Sequence, residues 1–550
     1  MFIRKKLPRA HALGEPLLHE NHPRPVSRRD FVAAGLMSGP AMVIGPAWLG
    51  ALLKANRAGA ALSPDIQALL SATQCNVPSA GGGIPFIVFD LAGGANLVGS
   101  EVLVGQQGGQ TAFLSTAGYE LLGVPGSMVP SSSANIDASL GLLWQADGAI
   151  KRGIQSVAAA TTAAGTSGAV LCAMSQNDTQ DNPHNPMYGI AMAGAKGQLM
   201  TLCGTQSTVS GGNSDAPMAL INPSLQPTTI SQPSDATALV PIPPGGKQDP
   251  LAVATIESQT RISTGTTPTS GSGDVAAFTG TLGAPNGSTP GVSLYPASDP
   301  TQAADDAALK NQVRCAYVKS ANTADLFGNP SALDPTQDTN IIGGAKPAIF
   351  PLSGGQFADS DTAATATVMK LVINGFAGAG TITLGGYDYH DGTRATGETR
   401  NFHAGQMIGG VLEYAARVGK PVMIYVLSDG SLNSNMMVDS SAAGRGKLGW
   451  QGDNSSVAST FFLVYSPKGR PALLNGAAGQ QIGYFTASGN VVSSSSPVGN
   501  SVTTLVQVVI LNYMGLLGTT SQYSTIFNQP SMALGTAAQM DALTVFQPIV

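Results

Sequence analysis

With 550 residues, 43% hydrophobic and only 11% charged, the chain has core enough for one large α/β domain with insertions or for two domains, and a disordered protein is excluded. Residues 1–57 hold nine basic and three acidic groups, so the remainder carries 18 basic against 29 acidic, a net of about −11. An acidic body without a basic patch argues against nucleic acid as a partner.

The first 60 residues read as a targeting segment. Arg4, Lys5, Lys6, Arg9 and Arg24 lead into Ser27-Arg28-Arg29-Asp30-Phe31-Val32, followed by an apolar run from Phe31 to Leu53. Paired arginines before a weakly hydrophobic run make a twin-arginine export signal. The competing reading is a membrane anchor, since the run is long enough to span. Gly35, Gly39-Pro40, Gly45-Pro46 and Gly50 make it a poor permanent helix, and Ala58-Gly59-Ala60 offers a small-residue cleavage site. No later segment is long and apolar enough to span a membrane. The expected location is therefore the periplasm or the cell exterior.

The mature chain divides into residues 61–204, a first α/β part, 205–356, an insertion, and 357–550, a second α/β part. Ser63 to Thr73 predicts a helix. Ile84 to Phe89 predicts the first strand of a parallel sheet, with Asp90 near its end and the Gly93-Gly94 turn beyond. Residues 145–167 read as an Ala-rich helix, Gly168 to Ser175 as a strand, and Gly197 to Gly204 as another. The loop after residue 175 is polar, with Asn177, Asp178, Asp181 and His184.

From Thr205 to Gln356 the composition turns to Ser, Thr, Pro, Gly and Asn, which predicts loops and short strands serving as a lid or assembly surface. Ala303 to Val318 is its one helical stretch. Helix Thr362 to Ile373 follows, then a strand ending in Thr381 to Leu384, a helix from His403 to Val418 stopped by Gly419, and the apolar strand Pro421 to Asp429. Residues 430–456 read as a loop. Thr460 to Tyr465 predicts a strand; Asn500 to Gly515 and Ala537 to Val545 predict helices. The fold class is α/β, a mostly parallel central sheet with helices on both faces.

Chemistry concentrates between Leu384 and Ser456. Asp388 and His390 are two apart and in an extended segment share one side, so together they offer two ligands to a zinc-like ion. Asp429 sits at a strand's carboxyl end and Asp453 in the following loop, and open α/β sheets place sites at that edge. Asp90 or Asn96 from the first strand is expected to face them. The plainer reading makes Asp388 and Asp429 turn and cap residues and His390 a loop histidine. Among the cysteines Cys75, Cys172, Cys203 and Cys315, none has CxxC spacing. Cys172 and Cys203 both lie in apolar runs, which suggests either a disulfide between neighbouring strands or two buried thiols.

In order and spacing these residues resemble a bacterial family of Tat-exported proteins, domain of unknown function 1501, itself similar to a distant branch of the alkaline phosphatase and sulfatase superfamily. Leu91-Ala92-Gly93-Gly94-Ala95-Asn96-Leu97 corresponds to LxGGxDGL, Asp388-Tyr389-His390 to DTH, Ser428-Asp429-Gly430-Ser431-Leu432 to SEFGR, and Asp453-Asn454 to DHG. The departures are an Asn at 96, an Asp at 429 without the following Phe-Gly-Arg, and Asn454 in place of the late histidine. The resemblance implies an alkaline-phosphatase-like fold with Asp388, His390, Asp429, Asp453 and Asp90 as ligands to Zn, Mg or Ca. Such a site needs a nucleophile, for which Ser428 and Ser100 are the candidates, and no CxPxR sequence supports sulfatase chemistry. Two classes stay open. One is a metal-dependent hydrolase of small phosphoesters. The other is a degenerate relative, with or without a metal, acting as a surface or self-assembling protein.

Overall fold

The computed structural model describes residues 83–175, 182–239 and 330–550. The stretches on which an export segment (1–60) and helices at Ser63 to Thr73 and Ala303 to Val318 are expected, together with Cys75 and Cys315, lie outside the described residues.

Among the described residues there are twelve strands: β1 (Phe86–Leu91), β2 (Ile136–Asp137), β3 (Trp144–Gln145), β4 (Thr166–Leu171), β5 (Met200–Gly204), β6 (Thr228–Thr229), β7 (Ala377–Leu384), β8 (Val422–Ser428), β9 (Leu432–Val438), β10 (Leu448–Asp453), β11 (Thr460–Tyr465) and β12 (Gln481–Ile482). Eight form one sheet in the order β12-β4-β11-β8-β1-β7-β5-β6. All its pairings are parallel except those of β11, which runs against both β4 and β8. The mostly parallel sheet expected from the apolar strand runs is therefore present.

The four longer helices are α1 (Ala149–Val157), α2 (Ser360–Ile373), α3 (Ala395–Val418) and α4 (Val502–Leu517). They lie on both faces, and strand alternation explains how. Ile87, Phe89 and Leu91 of β1, with Val422, Ile424 and Val426 of β8, pack into a core shared with α1, α2 and α3. Phe86 and Val88, with Met423, Tyr425 and Leu427, pack into a second core shared with α4. Both faces of the central strands are thus dry, and each fully buried large apolar side chain contributes about 1.5–3 kcal/mol.

Boundaries shift for local reasons. The stretch 145–167 is two helices, α1 and Ala160–Ala164, because Ala158 and Ala159 are extended and β4 already begins at Thr166. α3 starts eight residues before His403. Its N-cap Arg394 makes no side-chain cap; Asp439, from a distant strand end, accepts from the Arg394 and Ala395 N–H groups instead. Gly419 stops the helix in the left-handed conformation, φ 67°.

Two expectations are corrected. Residues 430–456 are not a loop: β9 and β10 form an antiparallel hairpin. Cys172 and Cys203 are not bridged; both are buried free thiols. Cys172 follows β4 and Cys203 lies on β5, with β11, β8, β1 and β7 between. At ~4.8 Å per strand this puts them roughly 24 Å apart, far beyond disulfide reach. Burial pushes the Cys203 thiol up to about 12 and raises that of Cys172 as well. Of the segment 205–356, residues 205–239 fold onto the main sheet and supply its edge strand β6. Among the described residues no helix is long and apolar enough to cross a membrane.

Candidate functional site

The acidic residues gather at the carboxyl edge of the sheet, as a doubly wound topology leads one to expect. Asp90 is the fifth residue of β1, Asp388 lies four residues past β7, Asp429 immediately follows β8, and Asp453 ends β10. They form two layers, one exposed and one buried.

The outer layer is Asp388, His390 and Asp453, one ligand atom from each lying within 4.8 Å of the others. His390 Nε2 is 2.8 Å from Asp388 Oδ1 and 3.7 Å from Asp453 Oδ1. Alternation sets their direction. Asp388 and His390 are exposed, while Tyr389 between them is buried, donating its hydroxyl to Asn401 Oδ1 and accepting from Asn96 N–H. A cation bonded at ~2.0–2.6 Å to each of three ligands requires just such separations between them, and the open side leaves room for water or substrate.

Asp453 reaches this position because its hairpin is stitched to the ligand loop. Gly392 N–H donates to Trp450 O, Trp450 N–H donates to Thr393 O, and Asn435 Nδ2 donates to Gly392 O. The Arg394 guanidinium lies 4.5 Å from the Trp450 ring centre.

The inner layer is Asp429 and Asp90. Asp429 Oδ1 accepts from Gly93 N–H at 2.9 Å and Oδ2 from Asn213 Nδ2 at 3.4 Å. Gly93 has φ 133°, and a Cβ there would come within 2.2 Å of Asp388 N, so only glycine lets the two loops touch. Asp90 Oδ2 accepts from the N–H groups of Asn213 and Ser214, and Ser214 Oγ donates to Oδ1. Burial pushes the Asp90 carboxyl up to about 6, and the charge of Asp429 adds to this. Asp429 is raised too, by burial first and then by Asp388. The carboxylates therefore sense one another from Asp90 through Asp429 to Asp388, although only the outer three residues share a ligand geometry.

The two serines are placed differently. Ser428 Oγ donates to Leu91 O at 2.6 Å and accepts from Ala95 N–H at 2.9 Å, so it clamps the turn after β1. Ser100 is fully buried and donates to Asn96 Oδ1 at 3.4 Å. Asn96 in turn gives its side-chain amide to Leu432 O and does not face the acidic cluster. Asn177, Asp178 and Asp181 lie outside the described residues. His184 is buried, its Nδ1 has no hydrogen-bond partner among the described residues, and burial lowers it to about 4.

Sequence reasoning missed two sets of residues. Asn213 and Ser214, which hold Asp90, come from the VSGGNSDAP turn, where glycines beside Asn and Ser were the only signal. Asn182, just after the undescribed stretch 176–181, donates to Asp429 O. The larger omission is a buried ion network. Glu398 Oε1 accepts from Arg394 Nε at 2.9 Å and Lys447 Nζ at 2.8 Å, and Oε2 from Arg152 Nη2 at 2.6 Å. Burial opposes ionisation of Glu398, but Arg394, Lys447 and Arg152 together hold it below its ordinary value. Neighbouring Glu101 accepts from Ile150 N–H and Asn401 Nδ2, and burial raises it. The i,i+4 spacing of Arg394 and Glu398 was the visible clue.

Comparison of the chain with family models, with curated proteins and with solved structures returns no match.

Proposed function

We propose that this chain is an exported, alkaline-phosphatase-superfamily-like protein that holds one divalent cation at Asp388, His390 and Asp453 and has lost the nucleophile of its hydrolytic relatives. It serves outside the cytoplasm as a surface or assembly protein. The observation that carries this reading is the state of Ser428, whose hydroxyl is committed at both ends to the β1 turn. An attacking hydroxyl needs a base within reach to take its proton; here that proton is given to a backbone carbonyl. Ser100 is farther from the role, sealed in the core beside Asn96. The donor set of two carboxylates and one imidazole suits zinc, and with added water it suits Mg²⁺ or Ca²⁺.

One observation favours the second reading, a phosphoester hydrolase. The outer three ligands face solvent, with side chains 62%, 40% and 49% exposed for Asp388, His390 and Asp453. A small phosphoester could bind the cation there, and a cation-bound water could serve as nucleophile in place of serine.

Metal analysis of the purified protein after exposure to Zn²⁺, Mg²⁺ or Ca²⁺, together with hydrolysis of p-nitrophenyl phosphate, separates the readings. The expected result is one cation per chain, at least tenfold weaker binding in His390→Ala, and no turnover. Turnover that disappears in His390→Ala replaces the first reading by the second; a wild-type protein that takes up no cation removes both. Export is tested separately. Arg28→Lys with Arg29→Lys is expected to hold the protein in the cytoplasm, and normal export of the double variant ends the twin-arginine reading.

A further inference from the structure

A cleft of about 490 Å³ opens between residues 106–113 and 484–492, and Gln106, Gln107, Phe113, Tyr484, Thr486 and Val492 line it. Its size lies within the range of small-ligand sites. Its walls are preformed. Gln106 N–H donates to Ala112 O, and the Gln106 side-chain amide closes the same loop by donating to Phe113 O at 2.8 Å. On the other wall Phe485 N–H donates to Gly105 O, Val492 N–H to Tyr484 O, and Tyr484 N–H to Ser495 Oγ. Tyr484 follows β12, which runs parallel to β4, so the cleft lies at the carboxyl edge of the sheet. Val491 N–H donates to Ser456 O at 2.8 Å, which ties this wall to the turn that follows Asp453.

The chemistry of the lining is narrow. Among the described residues no charged side chain lines it, in a chain whose residues after 57 carry 29 acidic groups. Three aromatic residues, Phe113, Tyr484 and the buried Phe485, stand with the amides of Gln106 and Gln107 and the Thr486 hydroxyl. Thr486 Oγ1 shares a hydrogen bond with Ser488 Oγ at 2.9 Å and accepts from Asn490 N–H at 3.2 Å, which orients it and leaves one bonding site for a ligand. We propose that this cleft binds a neutral sugar residue of a glycan. A pyranose ring presents a C–H face that packs on an aromatic side chain and a rim of hydroxyls that both donate and accept. Glutamine amides and the Thr486 hydroxyl offer both functions in return. Phosphorylated or carboxylated sugars are disfavoured, because nothing in the lining supplies a positive charge. The proposal is independent of the cation reading, since none of the lining residues is an acidic ligand.

Saturation-transfer NMR with the full chain and neutral hexasaccharides of glucose and N-acetylglucosamine tests it, beside pelleting with insoluble cellulose and chitin. The expected result is transfer from the protein to at least one hexasaccharide and at least tenfold weaker binding in Tyr484→Ala and in Gln107→Ala, with unchanged circular dichroism. Co-pelleting then identifies a polymer surface as the source; transfer without pelleting identifies a free oligosaccharide. Should Tyr484→Ala fail to fold, the exposed Gln107→Ala decides alone. Absence of transfer to every sugar overturns the proposal. So does binding that survives both substitutions, or transfer only to a proline-rich decapeptide run alongside.

Discussion

Two groups of ionisable side chains draw on the segment that leads from β7 into α3, Asp388 and His390 serving one and Arg394 the other, and they are built on opposite principles. In the first, Glu101, Glu398 and Asp147 meet Arg152, Arg394, Arg445 and Lys447, so every buried carboxylate of the trio has a cation or an N–H donor facing it. In the second, Asp90, Asp429, Asp388 and Asp453 meet one imidazole, and among the described residues no Lys or Arg pairs with them. The first group sets four cations against three carboxylates, so none of its carboxylates is short of positive charge. The second is short of positive charge, and the deficit can be met by protons or by a cation. A cluster whose carboxylates are all partnered is architecture; one short of positive charge at a sheet edge points to a ligand.

The contrast is breakable by substitution. The largest effect is expected from Glu398→Ala, which strands Arg394 and Lys447 without their shared acceptor. Breaking such a buried pair costs about 3–5 kcal/mol, and urea denaturation measures it. A loss below about 1 kcal/mol would show that the network is not what holds the hairpin down. Next comes Asp90→Asn. The folded-state value of Asp90, about 6, lies above the ordinary 3.8. The protonated form therefore favours the fold, and that stability is fully present below about pH 4 and lost as the pH rises through about 6. Without cations, an Asn at 90 is expected to raise stability at pH 7 by up to about 3 kcal/mol and to flatten its pH dependence between 4 and 6. Denaturation in a chelator at both pH values checks the sign; a destabilised variant at pH 7 would show that ionised Asp90 is well satisfied by Asn213 and Ser214. The smallest effect is expected from Asp388→Asn, within about 0.5 kcal/mol in chelator because the side chain is exposed. With cation present the wild type alone is expected to gain stability, which a thermal shift titration reads.

The legibility of the molecule divides along similar lines. Thr460 to Tyr465 and the run after Pro421 were readable because both faces of those strands are buried, and an unbroken apolar stretch follows from that. The shared direction of Asp388 and His390 was readable from period-two alternation alone. The hairpin β9–β10 was not. Its strands, LNSNMMV and LGWQGD, are half exposed, irregular in register and interrupted by glycine, so neither period shows. The Cys172–Cys203 pairing failed because an apolar run marks a buried strand but not its place in the strand order, and four strands lie between. The start of α3 was hidden because Asp439, which caps it, is 45 residues away from Arg394.

The central position of β1 has a consequence during synthesis. Its only neighbours are β7 and β8, so Phe86 first meets a partner at Ala379, about 290 residues later, and its second at Met423. At ~5–20 residues per second, a ribosome takes roughly 15–60 s to cover that distance. Throughout that time the middle strand of the sheet, an apolar segment meant to be covered on both sides and both edges, has nothing to pair with. A chain interrupted anywhere before residue 379 cannot build the sheet's centre, and such fragments are expected to depend on chaperones to stay out of aggregates.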